Sequence, residues 1–123
     1  MKIIDANIVL RYLLKDDITL HKKALSVLEN NDLFVPNEIV AEIVYVLEKV
    51  YSIPKKEIAA VLCLFFLREN LSFLDLQLIL NSLQIYMQYN IDYADALLVS
   101  YKKTNSDEIF SFDKKLVKIL EKI

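Results

Sequence analysis

Lys2-Ile3-Ile4-Asp5-Ala6-Asn7-Ile8-Val9-Leu10-Arg11-Tyr12-Leu13-Leu14 decides the fold class. Lys2–Ile4 is a short β-compatible run stopped by Asp5-Ala6-Asn7, and Ile8–Leu14 reads as a helix ending near Lys15-Asp16-Asp17. The strand-then-helix order recurs downstream. Asp17 or Thr19 caps a helix through Glu29, with Ala24, Leu25, Val27 and Leu28 on its apolar side, and Asn30-Asn31-Asp32 breaks it, asparagine taking glycine's place as the turn residue. Leu33–Val35 is a second strand closed by Pro36, after which Asn37 caps a helix to about Tyr51. Pro54–Leu67 is a helix apolar on nearly every side, which therefore needs cover on most sides. Leu71–Leu74 is a third strand, and Asp75 caps a helix to about Tyr89 with Leu76, Leu80, Leu83 and Met87 spaced for burial. Asp92 opens a helix through about Lys103, Glu108–Phe112 forms a fourth strand, and Asp113 begins the last helix, Lys114–Lys122. Strands alternating with helices predict an α/β fold with a short central parallel sheet flanked by helices.

Composition narrows the chemistry. The 123 residues contain no glycine, which excludes the Walker loop and the GxGxxG dinucleotide fingerprint, both of which need close backbone approach. His21 is the sole histidine and cannot supply an imidazole acid/base pair or a multi-histidine zinc cage, so carboxylates must carry any hydrolysis. Cys63, the sole cysteine, sits in an apolar run and reads as buried filler in a reducing compartment. The early acid at position 5 precludes a signal-peptide core, and the longest apolar run, Ile58–Leu67, is too short for a membrane span, so the expectation is a soluble cytoplasmic protein. With no Pro/Gly/Ser-rich linker, residues 1–123 are expected to form a single domain. Fifteen Lys+Arg against 17 Asp+Glu advertise no nucleic-acid binding, yet two bound divalent cations would reverse the sign of that balance.

In an open α/β sheet, ligands bind beyond the carboxyl ends of the strands. Asp5 follows the first strand and Asp113 the last, so a parallel sheet puts both on one edge; each also suits the cap of the following helix. Glu42 shares a stripe with Ile39, Ile43 and Val46 and either points inward, where a carboxylate needs a cation or a hydrogen-bond network, or flanks that stripe with its side chain reaching solvent. Glu38 and Glu48 fit a solvated face. Asp92 and Asp95 open an otherwise apolar helix; Asp92 suits a capping role, whereas Asp95 lies beside small Ala96 with room for an ion. Hard oxygen donors without imidazole or thiolate select Mg2+ or Mn2+, and such a site suits phosphodiester hydrolysis. Arg11, Lys15, Lys102, Lys103, Lys114 and Lys115 fit either phosphate contacts or ordinary solvated surface.

Four stretches together resemble the PIN-domain nucleases, and more closely the VapC-type toxins of toxin–antitoxin pairs. They are Ile4–Leu14, Val35-Pro36 leading to Val40–Leu47, Asp92–Leu97, and Ser111-Phe112-Asp113, in family order across almost the whole chain. The resemblance implies a PIN-like three-layer fold and a metal site of Asp5, Glu42, Asp95 and Asp113 with Asp92 as an additional acid. It makes Asn7 and Ser111 supporting hydrogen-bonding residues. It further implies Mg2+- or Mn2+-dependent cleavage of RNA, such as transfer or ribosomal RNA, leaving a 3′-hydroxyl and a 5′-phosphate. A homodimer silenced by a cognate antitoxin is part of the same pattern. Ala6 departs from the threonine or serine of many relatives, and Asn90 and Asn105–Glu108 stand in place of common glycines. Two other readings fit the acids: a non-catalytic PIN-like module that binds RNA or protein, and a phosphatase or receiver-like acid pocket.

Overall fold

The first strand shrinks to one residue. In the computed structural model, which describes residues 1–123, Ile3 makes a lone parallel bridge to Phe34. It is flanked by Phe34 N–H to Lys2 O at 2.8 Å and Ile4 N–H to Phe34 O at 3.1 Å. The sheet proper is two short parallel strands, β1 (Leu33–Phe34) and β2 (Leu71–Ser72), in register Leu33 to Leu71 and Phe34 to Ser72. Seven helices surround it: α1 (Ala6–Leu14), α2 (Ile18–Asn30), α3 (Asn37–Tyr45), α4 (Lys55–Phe65), α5 (Leu76–Gln88), α6 (Tyr93–Asn105) and α7 (Lys114–Glu121). The result is a helix-rich α/β fold around a minimal parallel sheet. A continuous cluster of 28 buried apolar residues, from Ile4 to Leu120, joins the elements. No helix is long and apolar enough to cross a membrane.

Several expectations are corrected. Glu108–Phe112 forms no strand: residues 106–113 carry no regular structure, although the segment keeps a strand's alternation, with Ile109 and Ser111 half-buried and Phe110 and Phe112 exposed. A period of two supplies the faces of a strand but not its hydrogen-bond partner, and here no edge pairs with it. The helix expected to Tyr51 changes at Val46 into a π turn, Val46–Val50. The extra residue of that turn breaks the 3.6-residue register on which the placement of Glu48 relied, whereas Glu42 lies before it in the regular helix α3. Buried Val40, Ile43, Val44 and Leu47 form the inner face, and Glu42 is exposed rather than inward. On α5 the burial centres on Ile79, Leu83 and Tyr86, leaving Leu76 and Leu80 half-buried and Met87 partly exposed. Helix α4 buries Ile58, Ala59, Leu62 and Phe65 but exposes Val61 and Leu64, so its cover is one-sided. Cys63 is half-buried, with Gln84 donating to its sulfur at 3.6 Å.

Without glycine, the chain ends its helices by other means. The left-handed backbone positions are Lys15, Ser52 and Ser106, with φ of 53°, 54° and 60°, and none is an asparagine. The asparagines instead satisfy exposed carbonyls at the end of α2. Asn30 donates to Ser26 O at 2.8 Å, Asn31 to Val27 O at 2.9 Å, and Asn70 to Asn31 O at 2.8 Å. These side-chain bonds answer the orphan carbonyls that a glycine-based cap would otherwise satisfy through the backbone.

Candidate functional site

Helices α5 and α6 pack along each other, α7 lies against α6, and α3 packs on α6, its first residue Asn37 donating to the Tyr101 hydroxyl at 3.3 Å. This arrangement opens a cleft between the C-terminal part of α3 with its π turn and the N-terminal turns of α6 and α7. Its larger arm, about 540 Å3, is lined by Glu42, Tyr45, Glu48, Lys49, Asp92 and neighbouring apolar atoms. A second arm of about 230 Å3 shares Glu48, Lys49 and Asp92 and continues to Asp95, Asp113, Lys55 and Lys115.

The acids in the second arm are held differently. Asp92 occupies the N-cap of α6 in an extended conformation, yet its side chain accepts nothing from the helix, so the capping role expected for it is absent. Asp95 lies three residues on, a spacing that puts both on one side of α6. Burial, then the charges of Asp113 and Asp92, push the Asp95 carboxyl above its ordinary value. Asp113 caps α7 through Leu116 N–H at 2.8 Å, while its own N–H donates to Ser111 Oγ at 3.0 Å. Ser111 therefore holds the backbone that presents Asp113.

Three lysines line the same arm, but none forms an ion pair with these acids. Lys49 pairs with Glu48 at 3.2 Å. Lys55 donates to Ile91 O and, at 3.4 Å, to Tyr89 O, with its ammonium 4.4 Å from the Tyr86 ring centroid. Burial draws its pKa down, against the opposing charges of Glu48 and Asp92. Lys115 donates to Asn90 O. Two cations thus anchor the carbonyls of Tyr89–Ile91, the turn that launches α6. The chain's salt bridges are Lys49–Glu48 and a distant Arg11–Asp16, which leaves Asp92, Asp95 and Asp113 without a cationic partner.

Glu48, expected on a solvated face, belongs to this cleft. Burial alone would raise its carboxyl, but hydrogen bonds from Tyr86 and Lys49 outweigh burial and hold it below its ordinary value. Nothing in a helical wheel could have located it, because the π turn swings it toward α5. Lys55 and Tyr86 carried no sequence signal either, Lys55 opening a helix read as apolar on nearly every side and Tyr86 lying within the helix read to about Tyr89.

The acids expected to act together are only partly assembled. Asp92, Asp95, Asp113 and Glu48 share one arm, and Glu42 stands in the adjoining one. Asp5 and Asn7 are exposed and line neither arm, though Asp5 spends no side-chain bond on capping α1. No three acids converge closely enough to enclose an ion on their own. The donor set nevertheless suits a hydrated Mg2+ or Mn2+. Magnesium keeps several waters and takes one or two carboxylates, and Asp95, whose carboxyl is raised by burial and then by Asp113 and Asp92, has no ion-pair partner.

The family model described as the PIN domain matches residues 2–122. Neither a curated protein nor a solved structure matches the chain.

Proposed function

The chain belongs to the PIN-domain family, whose members are generally metal-dependent nucleases, and on that premise we propose that it is an Mg2+- or Mn2+-dependent endoribonuclease of the VapC toxin type. The observation that carries the reading is the trio Asp92, Asp95 and Asp113: three carboxylates in one cleft arm, none ion-paired, beside lysines already committed to carbonyls and to Glu48.

In this reading residues 1–123 act as one domain, and one or two of Asp92, Asp95 and Asp113 would hold a hydrated cation, with Glu42 in the adjoining arm and Asp5 outside both as the further acids of the set. When bound, the ion supplies an acidified water and neutralises charge on the phosphate. Ser111 fixes Asp113, and the Lys55 and Lys115 bonds to the Tyr89–Ile91 carbonyls fix the turn that carries Asp92. Lys49, at the junction of the two arms, contacts the scissile strand's phosphate, and exposed Tyr45 offers a ring on which an adjacent base stacks. Asn7, two residues from Asp5, takes its supporting role from the resemblance alone. The four-motif resemblance supports the remainder: a cytoplasmic homodimer that stops translation by cutting transfer or ribosomal RNA and is neutralised by a cognate antitoxin.

The test is cleavage of a fluorescence-quenched RNA by purified protein. Activity is expected with Mg2+ or Mn2+, to vanish with EDTA and to return on adding metal. Loss of activity in Asp95→Asn supports the assignment, and unaltered cutting overturns it. The absence of a three-acid enclosure favours a second reading, a non-catalytic PIN-like binding module. That reading wins if metal-loaded protein binds RNA but cuts none of a varied substrate set.

A further inference from the structure

Phe110 and Phe112 are the most exposed aromatic side chains of the chain, 85% and 106% accessible, and they immediately precede Asp113. Leaving two phenyl rings in water forgoes roughly 2 kcal/mol or more of burial apiece, which calls for an occupant. The segment's alternation sets both rings on the outer side, opposite half-buried Ile109 and Ser111. Beyond Asp113 the outer face of α7 is basic. Leu116, Ile119 and Leu120 are buried, and Lys114, Lys115, Lys118 and Lys122 are exposed, with Glu121 the one acid among them. From Asp107 to Lys122 four lysines balance four acids, but the lysines all lie at or beyond position 114, where Glu121 is the one acid.

Exposed rings beside a lysine row combine the two elements that hold single-stranded nucleic acid: faces on which bases stack without regard to sequence, and cations that follow the phosphates. We propose that Phe110 and Phe112, with Lys114 and Lys118, form a landing strip for single-stranded RNA that leads into the Asp113 arm of the cleft. Bases stack on the two rings while the flanking phosphates lie along α7. The proposal rests on the nuclease reading for its substrate and adds to it a binding surface outside the carboxylate cleft. A protein strand pairing with the unpaired segment would use the rings too, but only RNA carries a negative charge at every nucleotide for the lysine row to follow, so charge favours RNA.

The test uses the full chain with Asp95→Asn to prevent cleavage, a labelled twelve-nucleotide RNA, and fluorescence anisotropy across a salt series. Phe110→Ala with Phe112→Ala should weaken binding by about tenfold per ring. Lys114→Ala with Lys118→Ala should lower the slope of log affinity against log salt by about 1.4, the value for two phosphates on a single strand. Because the rings are exposed, the alanine variants should melt no lower than the parent. The chain has no tryptophan, so Phe112→Trp installs one indole that should keep the affinity and be quenched as RNA binds.

Unchanged RNA affinity in the double-alanine variant overturns the strip, and so does unchanged affinity with an altered oligomeric state by light scattering, which assigns the rings to a protein interface. If the parent binds no RNA while wild-type protein still hydrolyses a small phosphodiester with Mn2+, the strip fails and the nuclease reading survives. If both are absent, the two fall together.

Discussion

Asp75 and Asp92 hold the same post. Each is the N-cap of a 13-residue helix, each has extended backbone, and the two helices pack against one another. Asp75 accepts the Leu78 N–H at 3.1 Å, whereas Asp92 accepts nothing from its helix and lines the cleft instead. A cap bond contributes about 1 kcal/mol, so forgoing it is a measurable sacrifice of stability. The pair teaches that an aspartate at a helix start declares its role by what its oxygens touch, not by its position.

The largest expected effect breaks the comparison at the level of activity. Asp92→Asn and Asp95→Asn should each reduce metal-dependent RNA cleavage at least about a hundredfold, whereas Asp75→Ala should leave it unchanged, as read by initial rates on a quenched RNA. Equal losses in Asp75→Ala and Asp92→Asn would erase the distinction.

That distinction was only half legible in the sequence. Three helix starts were, because Asp17, Asp75 and Asp113 do cap through their side chains, at 3.0, 3.1 and 2.8 Å, whereas Asn37, expected to cap α3, is its first helical residue behind Pro36 and makes no cap bond. Asp92 looked identical to them, and no local pattern shows where an unspent carboxylate will turn. The fourth strand failed because alternation in Ile109-Phe110-Ser111-Phe112 encodes faces, while pairing depends on an edge elsewhere in the chain. Glu48 was misplaced because the π turn Val46–Val50 rotates the register of the wheel, and the inward placement of Glu42 failed because the buried face of α3 centres on Val40, Ile43 and Val44 and leaves it outside. Lys55 reaches the Tyr89–Ile91 carbonyls across more than thirty residues of sequence, a contact no spacing rule contains.

The second effect concerns what anchors the cleft. Tyr86→Phe removes the hydroxyl that donates to Glu48 and should cost about 1.5–3 kcal/mol in urea unfolding, the range for a hydrogen bond to a charged group. A change near zero would mean that the π turn holds Glu48 without Tyr86.

Third comes stability at the two caps. Asp75→Ala should unfold about 1 kcal/mol more easily, and Asp92→Ala should not lose that increment, since it has no cap bond to surrender. Denaturant melts of both variants decide whether the two posts differ in energy as they do in geometry.

The smallest effect is the pH dependence of the metal-free protein. Asp95 has a raised carboxyl pKa, so the folded state holds more protons than the unfolded one between the two values. Its contribution therefore falls as pH rises through the carboxylate range. Glu48, held below its ordinary value, contributes in the opposite sense, and that stability is lost as pH falls through its folded pKa. Thermal melts in EDTA should show Asp95→Asn more stable than wild type at neutral pH, with the gain shrinking in acid. A fall at neutral pH would assign Asp95 a structural bond instead.

The most direct test of the carboxylate trio is a calorimetric titration of Mn2+ into wild-type protein and into Asp95→Asn. Saturable binding to the wild type that weakens sharply in the variant is the expected result. Heats indistinguishable between the two proteins, or no binding to either, would contradict it.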